Sequence, residues 1–268
     1  MDQLKQIEFR KSRDFGELIN ATFEFLRQNL KILFLSLIFI AGPGIILTGI
    51  AGGFRYGGAS FNKYITGTAI IYFLLMLITL QLIITVTYSC LNLYIEKNSS
   101  DFSVNDVWNR TKEDFLMILV TTIGTGVVTL LGALLIIIPG IYLSVALTII
   151  FMVRMREKLS FVDSVSRCRK LISGNWWFTF ALLLILAVIQ YFFSFIFAIP
   201  QYIVIFITAF HNSTGKPELN STLLIITSII SSISYIFYCI PVIGITFHYF
   251  SLVEKKEAVG LLQKLETI

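Results

Sequence analysis

Charge is what this chain lacks where it is most apolar. None of its 21 Lys and Arg or 16 Asp and Glu side chains falls within residues 32–54, 64–95, 115–153, 171–215 or 219–253. A bilayer core is about 30 Å thick and takes about 20 apolar residues per helix, so every run is long enough to span. The missing charges also remove what usually marks a coupled pump or a proton relay, an ionisable group held at membrane depth. No Asp at depth means no paired-carboxylate intramembrane protease. Histidine is almost as scarce. His211 is expected in an outer loop and His248 in the last run, so the two cannot share a metal that needs three or four ligands in one place. No GxSxG, HExxH, Walker or Rossmann pattern occurs. The three cysteines form no CxxC pair. Cys90 and Cys239 read as small hydrophobes. Cys168 stands between Arg167 and Arg169, a setting that favours a thiolate, although an ordinary thiol is the expectation. These absences predict a protein that is not an enzyme and holds no metal or cofactor.

What remains is 56% hydrophobic and only 14% charged, against about 25% charged in soluble domains. The first apolar run starts near Leu30, later than a secretory signal would, and is read as retained. Six spans are predicted, at about 30–54, 65–95, 115–137, 139–155, 175–209 and 221–253. Residues 115–153 allow either two tight spans or a re-entrant pair. Six spans place both termini on one side. All basic residues but Arg55, Lys63 and Lys216, and all acidic residues but Glu218, then share that side, which the positive-inside rule makes cytoplasmic. The net charge of +5 is accordingly a topology signal and a match to anionic lipid head groups. It does not form the concentrated base-reading face that nucleic acid requires.

The chain is read as one membrane domain, residues 1–268, with a short cytoplasmic tail over 256–268 and three repeats at about 14–97, 102–158 and 161–255. Three spans end alike, in Ile95-Glu96-Lys97, Arg156-Glu157-Lys158 and Val253-Glu254-Lys255. Phe15, Ile19, Thr22 and Leu26 share their spacing with Phe161, Val165, Cys168 and Ile172, which puts each set on one helical face. Val104, Val107, Thr111 and Phe115 form a poorer middle copy. Each unit thus predicts a cytoplasmic amphipathic helix followed by a hairpin of two spans. A basic, Trp-bearing patch of Arg154, Arg156, Lys158, Arg167, Arg169, Lys170, Trp176 and Trp177 is the candidate contact with anionic lipid or a partner.

Each unit also carries a Pro/Gly break: Gly42-Pro43-Gly44, Pro139-Gly140, and Pro241 with Gly244. The second is read as the outer turn and the others as kinks that let hairpins pack, because no polar cluster accompanies them. Gly52-Gly53 and Gly57-Gly58 read as flexible residues flanking the first outer loop. Gln81, Thr85, Ser89 and Asn92 form a polar stripe over three turns of the second span. Gln190 and Gln201 mark the fifth, and Ser228, Ser231, Ser232 and Ser234 the sixth. Such side chains either glue helices together or line a polar groove, and packing is the expected role.

The stretch Ile138-Pro139-Gly140-Ile141, then Arg154, Glu157, Asp163-Ser164-Val165 and Ser173-Gly174-Asn175 resembles bacterial membrane-domain families built on an "iPGi … E … eAl.rS..l..g" pattern. These include the YciC-like proteins and the membrane domain attached to some glycerophosphoryl diester phosphodiesterases. The resemblance covers about residues 100–200, with Ser164 where the pattern prefers Ala. It implies a membrane module of the bacterial inner membrane without the enzyme, whose barrel would take about 250 soluble residues. It also implies neighbouring membrane subunits, linked to a MoxR-type ATPase. The expected function is a non-catalytic subunit or scaffold of an inner-membrane complex. The alternative is a carrier or channel for a neutral or lipid-like solute, resting on the broken helices and the Gln81–Asn92 stripe.

Overall fold

A computed structural model describes residues 7–57, 65–97, 99, 101–135, 137–213 and 221–258. Lys63, Lys216, Glu218 and the tail from residue 259 onward lie outside the described residues. Among those described, every regular element is helical. Six stretches are long and apolar enough to cross a membrane: Phe15–Arg55, Gly67–Lys97, Val104–Leu134, Ile137–Glu157, Trp176–Ile207 and Ser221–Glu257. The chain is therefore an all-α polytopic membrane bundle. The helices are α1 (Phe15–Ser36), α2 (Gly42–Gly57), α3 (Ile65–Lys97), α4 (Val104–Leu135), α5 (Ile137–Ala146), α6 (Ile150–Glu157), α7 (Phe161–Ile172), α8 (Trp176–Ser213), α9 (Ser221–Ile233) and α10 (Cys239–Glu257).

Two compact units form. The first contains residues up to Leu33 together with Thr87–Ala187 and the chain from Ile240. The second contains Phe34–Val86 and Val188–Cys239.

The core of the first unit is aromatic. Residues 7–14 are not helical, yet Ile7, Phe9 and Arg13 are buried. The Phe9 ring stacks on Phe247 at 4.7 Å and meets Tyr94, Phe250 and Phe25 at 5.7, 5.4 and 6.3 Å. The Arg13 guanidinium donates to the carbonyls of Phe9 and Glu8 and lies 5.2 Å from the Phe247 ring centre. Its backbone N–H donates to Ser251 Oγ at 3.0 Å. Burial pushes the Arg13 pKa below the ordinary arginine value, against the opposing pull of Glu17, Glu8 and Glu24. The buried face of α1 is Leu18, Thr22, Phe25 and Asn29. Of the expected set only Thr22 is fully buried, because the aromatic cluster turns the helix so that Phe25 rather than Leu26 points inward.

Helix α7 stands apart from the apolar runs and buries Ser164, Cys168, Leu171 and Ile172. It starts at Ser160, whose Oγ accepts the Asp163 N–H, a local N-cap that satisfies one of the first-turn donors. It ends at Gly174, whose φ of +80° is a left-handed conformation that glycine adopts at no steric cost. The first and second repeats have no glycine at that place, and their helices α1 and α4 run on into the following apolar run without a break. Pro139 and Gly140 do not form a turn either. They lie in the first turn of α5, where a proline's missing N–H costs nothing. A Cβ on Gly140 would come within 2.7 Å of Ala133 Cα, so this glycine serves the close approach of α4 and α5.

In the second unit α2 packs along α9. A Cβ on Gly49 would sit 2.5 Å from Ile229 Cα, and one on Gly53 2.4 Å from Ile225 Cα. Gly53 is thus a helical contact residue and not part of a flexible turn. The signal was the four-residue spacing of Gly49 and Gly53, the small-residue seam typical of membrane helices. Ahead of Pro43, residues Leu37–Ala41 widen into a π-helical turn, which absorbs a residue where the ring cannot donate to the ladder. Ahead of Pro241, Ser234–Tyr238 tighten into a 3₁₀ turn.

Candidate functional site

The second unit contains an uncharged cleft of about 360 Å³ whose lining mixes polar side chains with apolar ones such as Phe195 and Ile205. One wall is α8, through Gln190, Ser194 and Gln201. The other is α9 and its 3₁₀ extension, through Ser231, Ser234 and Tyr238, and Tyr72 and Tyr235 also line it. A smaller pocket of about 50 Å³ shares Tyr72, Gln201, Ser231 and Tyr235 and reaches Gly52, Ser228 and Ser232. Gln190 and Gln201 are eleven residues apart, three helical turns, which is why both face the same space.

The hydrogen bonds of this cleft are only partly closed. Tyr72 and Tyr235 share a bond between their hydroxyls at 3.0 Å. Ser194 Oγ donates to the Ser234 carbonyl at 3.3 Å, a carbonyl of the 3₁₀ turn. Ser228 Oγ donates to Gln201 Oε1 at 2.9 Å. Gln201 Nε2 is buried without a partner, in a side chain only 6% exposed. A buried donor left unsatisfied costs about 1–3 kcal/mol. A polar cluster therefore accompanies the 3₁₀ turn of the second unit. Non-helical backbone at membrane depth is tolerated where it is packed in protein or lines a cavity.

The Gln81 stripe lies elsewhere. Gln81, Thr85, Ser89 and Asn92 are all buried. Thr85 Oγ1 donates to the Gln81 carbonyl at 2.8 Å, and Gln81 Nε2 meets Thr85 Oγ1 at 3.5 Å. Ser89 Oγ donates to Asp114 Oδ2 at 3.3 Å. That carboxylate also takes Arg110 Nε at 3.1 Å.

In the first unit the basic patch is divided. Arg154 turns inward and donates to Thr121 Oγ1 at 2.6 Å. Arg167 is clamped by Glu157 at 2.7 Å and Glu257 at 2.5 Å, and its pKa is raised by those bonds. Arg156 is half-buried and Lys158 exposed, the latter in the left-handed conformation that ends α6. Arg169 and Lys170 are exposed and line a second pocket, described below. Cys168 is fully buried. Burial pushes its thiol up to about 12, so it is protonated at neutral pH despite its arginine neighbours. His248 Nε2 bonds Thr179 Oγ1 at 2.8 Å, a helix-to-helix contact. No cluster of metal-ligating side chains occurs among the described residues.

Tyr142 stacks on Trp176 at 5.9 Å, and Trp176 Nε1 donates to the Tyr142 carbonyl at 3.3 Å. Trp176 opens α8, so α5 packs against the start of that helix. The re-entrant alternative for 115–153 would put Ile138 and the start of α8 on one side of the membrane. In sealed vesicles a cysteine replacing Ile138 is then expected to react with an impermeant maleimide from the same side as one replacing Lys170. Labelling from opposite sides would mean that the hairpin crosses.

Comparison of the chain with protein-family models, curated proteins and solved structures gives no match.

Proposed function

We propose that this multi-pass membrane protein binds, and carries or holds, a neutral lipid-like solute in the cleft between α8 and α9. Of the two roles expected from sequence, subunit or scaffold and carrier or channel, the cleft supports the second. The observation that carries the proposal is the cleft itself, in which Gln190, Ser194 and Gln201 of one wall meet Ser231 and Ser234 of the other. The natural complement of its amide donors is a hydroxyl, ester or carbonyl oxygen. The volume of about 360 Å³ is at the lower end of small-molecule sites and suits a polar head with its tail left in the bilayer. The lining supplies hydroxyls and amides, whose role is recognition.

The test uses the whole chain in proteoliposomes with a photoactivatable diacylglycerol, a neutral lipid with a free hydroxyl. Cross-links are expected on α8 and α9 around Gln201. Gln201→Leu removes one hydrogen bond and is expected to lower labelling and flux about tenfold, within the range for one buried polar contact. Gln81→Leu, on the separate stripe, is expected to leave both within about twofold of the wild-type values on the same scale. Equal labelling of the wild type and Gln201→Leu would refute the site.

A further inference from the structure

A second pocket lies in the first unit, apart from the cleft. It has a volume of about 520 Å³ and is lined by Tyr142, Ser166, Arg169, Lys170, Ser173 and Lys256. Lys256 is committed: its Nζ donates to the carbonyls of Lys170 and Ser173 at the end of α7. Glu257, the next residue, is taken by Arg167 through two bonds at 2.5 and 2.9 Å. Arg169 and Lys170 have no carboxylate partner among the described residues. Two unpaired cations, two serine hydroxyls and a tyrosine thus converge on one space that is wide enough for a phosphodiester.

Directly beside it is a groove of about 390 Å³ with no polar lining at all, formed by Ile138, Ile141, Tyr142, Trp176 and Trp177. Tyr142 belongs to both. The groove walls are open: Ile138 is 75% and Trp177 76% exposed. Tryptophan is the residue that favours the boundary between acyl chains and water. A free soluble anion would use the basic pocket and ignore the groove. An apolar ligand would do the reverse. Only an amphiphile with an anionic head uses both, and the two share a wall.

We infer that the pocket of Arg169 and Lys170 and the groove of Trp176 and Trp177 form one site for a single anionic phospholipid, phosphate among the cations and acyl chain along the indoles. The site fits the leaflet that the positive-inside rule assigns to this basic end, and it is independent of the cleft in the second unit.

The experiment is native mass spectrometry of the full chain in detergent with phosphatidylglycerol and phosphatidylcholine in equal amount. Phosphatidylglycerol is expected to be retained about tenfold over phosphatidylcholine, the preference of roughly one to two surface cations. The double variant Arg169→Gln, Lys170→Gln should lower phosphatidylglycerol retention about tenfold, to the level of phosphatidylcholine. Both side chains are exposed, and the exchange Arg169→Lys, Lys170→Arg, which keeps the charge, should restore retention in a chain of equal thermal stability. Trp177→Ala should weaken both lipids alike. Equal retention of the two lipids, or retention that the double variant leaves unchanged, would overturn the site. Displacement by millimolar glycerol phosphate would overturn it in favour of a soluble anion. Displacement by an acidic peptide would overturn it in favour of a protein-docking face.

Discussion

Gly53→Val is expected to lower the melting temperature of the detergent-solubilised protein strongly. The added Cβ would lie 2.4 Å from the Ile225 Cα, and backbone cannot rotate aside as a side chain can. Overpacking typically costs about 1–3 kcal/mol and sometimes more, and here the cost is expected at or above the upper end. Gly49→Val should behave alike, since its Cβ would meet Ile229 Cα at 2.5 Å. Gly126 is the control. Nothing lies within 4 Å of its added Cβ, so Gly126→Ala in α4 should be neutral or stabilising by about 0.5–1 kcal/mol through helix propensity. Fluorescence-monitored melting distinguishes the two outcomes. A Gly53 variant that melts with the wild type would show that α2 and α9 do not touch through their backbones.

Phe247→Ala is the second large effect, expected at about 3–5 kcal/mol for a fully buried phenylalanine. The ring is stacked on Phe9, stands edge-on to Phe25 at 6.2 Å, and lies under the Arg13 guanidinium. Its loss removes the surface on which residues 7–14 rest. Limited proteolysis should then cleave within that segment in the variant and leave the wild type intact. Phe206, 73% exposed in an apolar helix, supplies the comparison: Phe206→Ala should leave both melting and cleavage almost unchanged.

The helical architecture was legible because charge is absent in long blocks, and an α-helix satisfies its whole backbone within one such block, whereas a barrel strand would be short and alternate apolar with polar residues. The sites were harder to read for identifiable reasons. Gln190, Gln201, Ser231 and Ser234 were each visible as polar residues in apolar runs, but two helices share them, and nothing in one helix's periodicity says which other helix it will face. The Gln81 stripe, more regular along one helix, was the more conspicuous signal, and its four residues are buried. Residues 7–14 carry too few apolar positions to announce burial, so the Phe9–Arg13 contribution to the core went unread. Arg169 and Lys170 could not be told from Arg154 and Arg167 by type. What separates them is whether Thr121, Glu157 and Glu257 reach them, which is a property of three dimensions.

The glycine seam between α2 and α9 bears on how anything could enter the cleft. Two backbones in contact leave no slack for sliding, so the α9 side behaves as an anvil. On the other side α8 contains Pro200, immediately before Gln201. Proline interrupts the helix ladder and is a common place for a bend. Entry and exit of a solute would then be one-sided, with α8 flexing about Pro200 while its opposite number stays put, and Gln201 would swing with the moving arm.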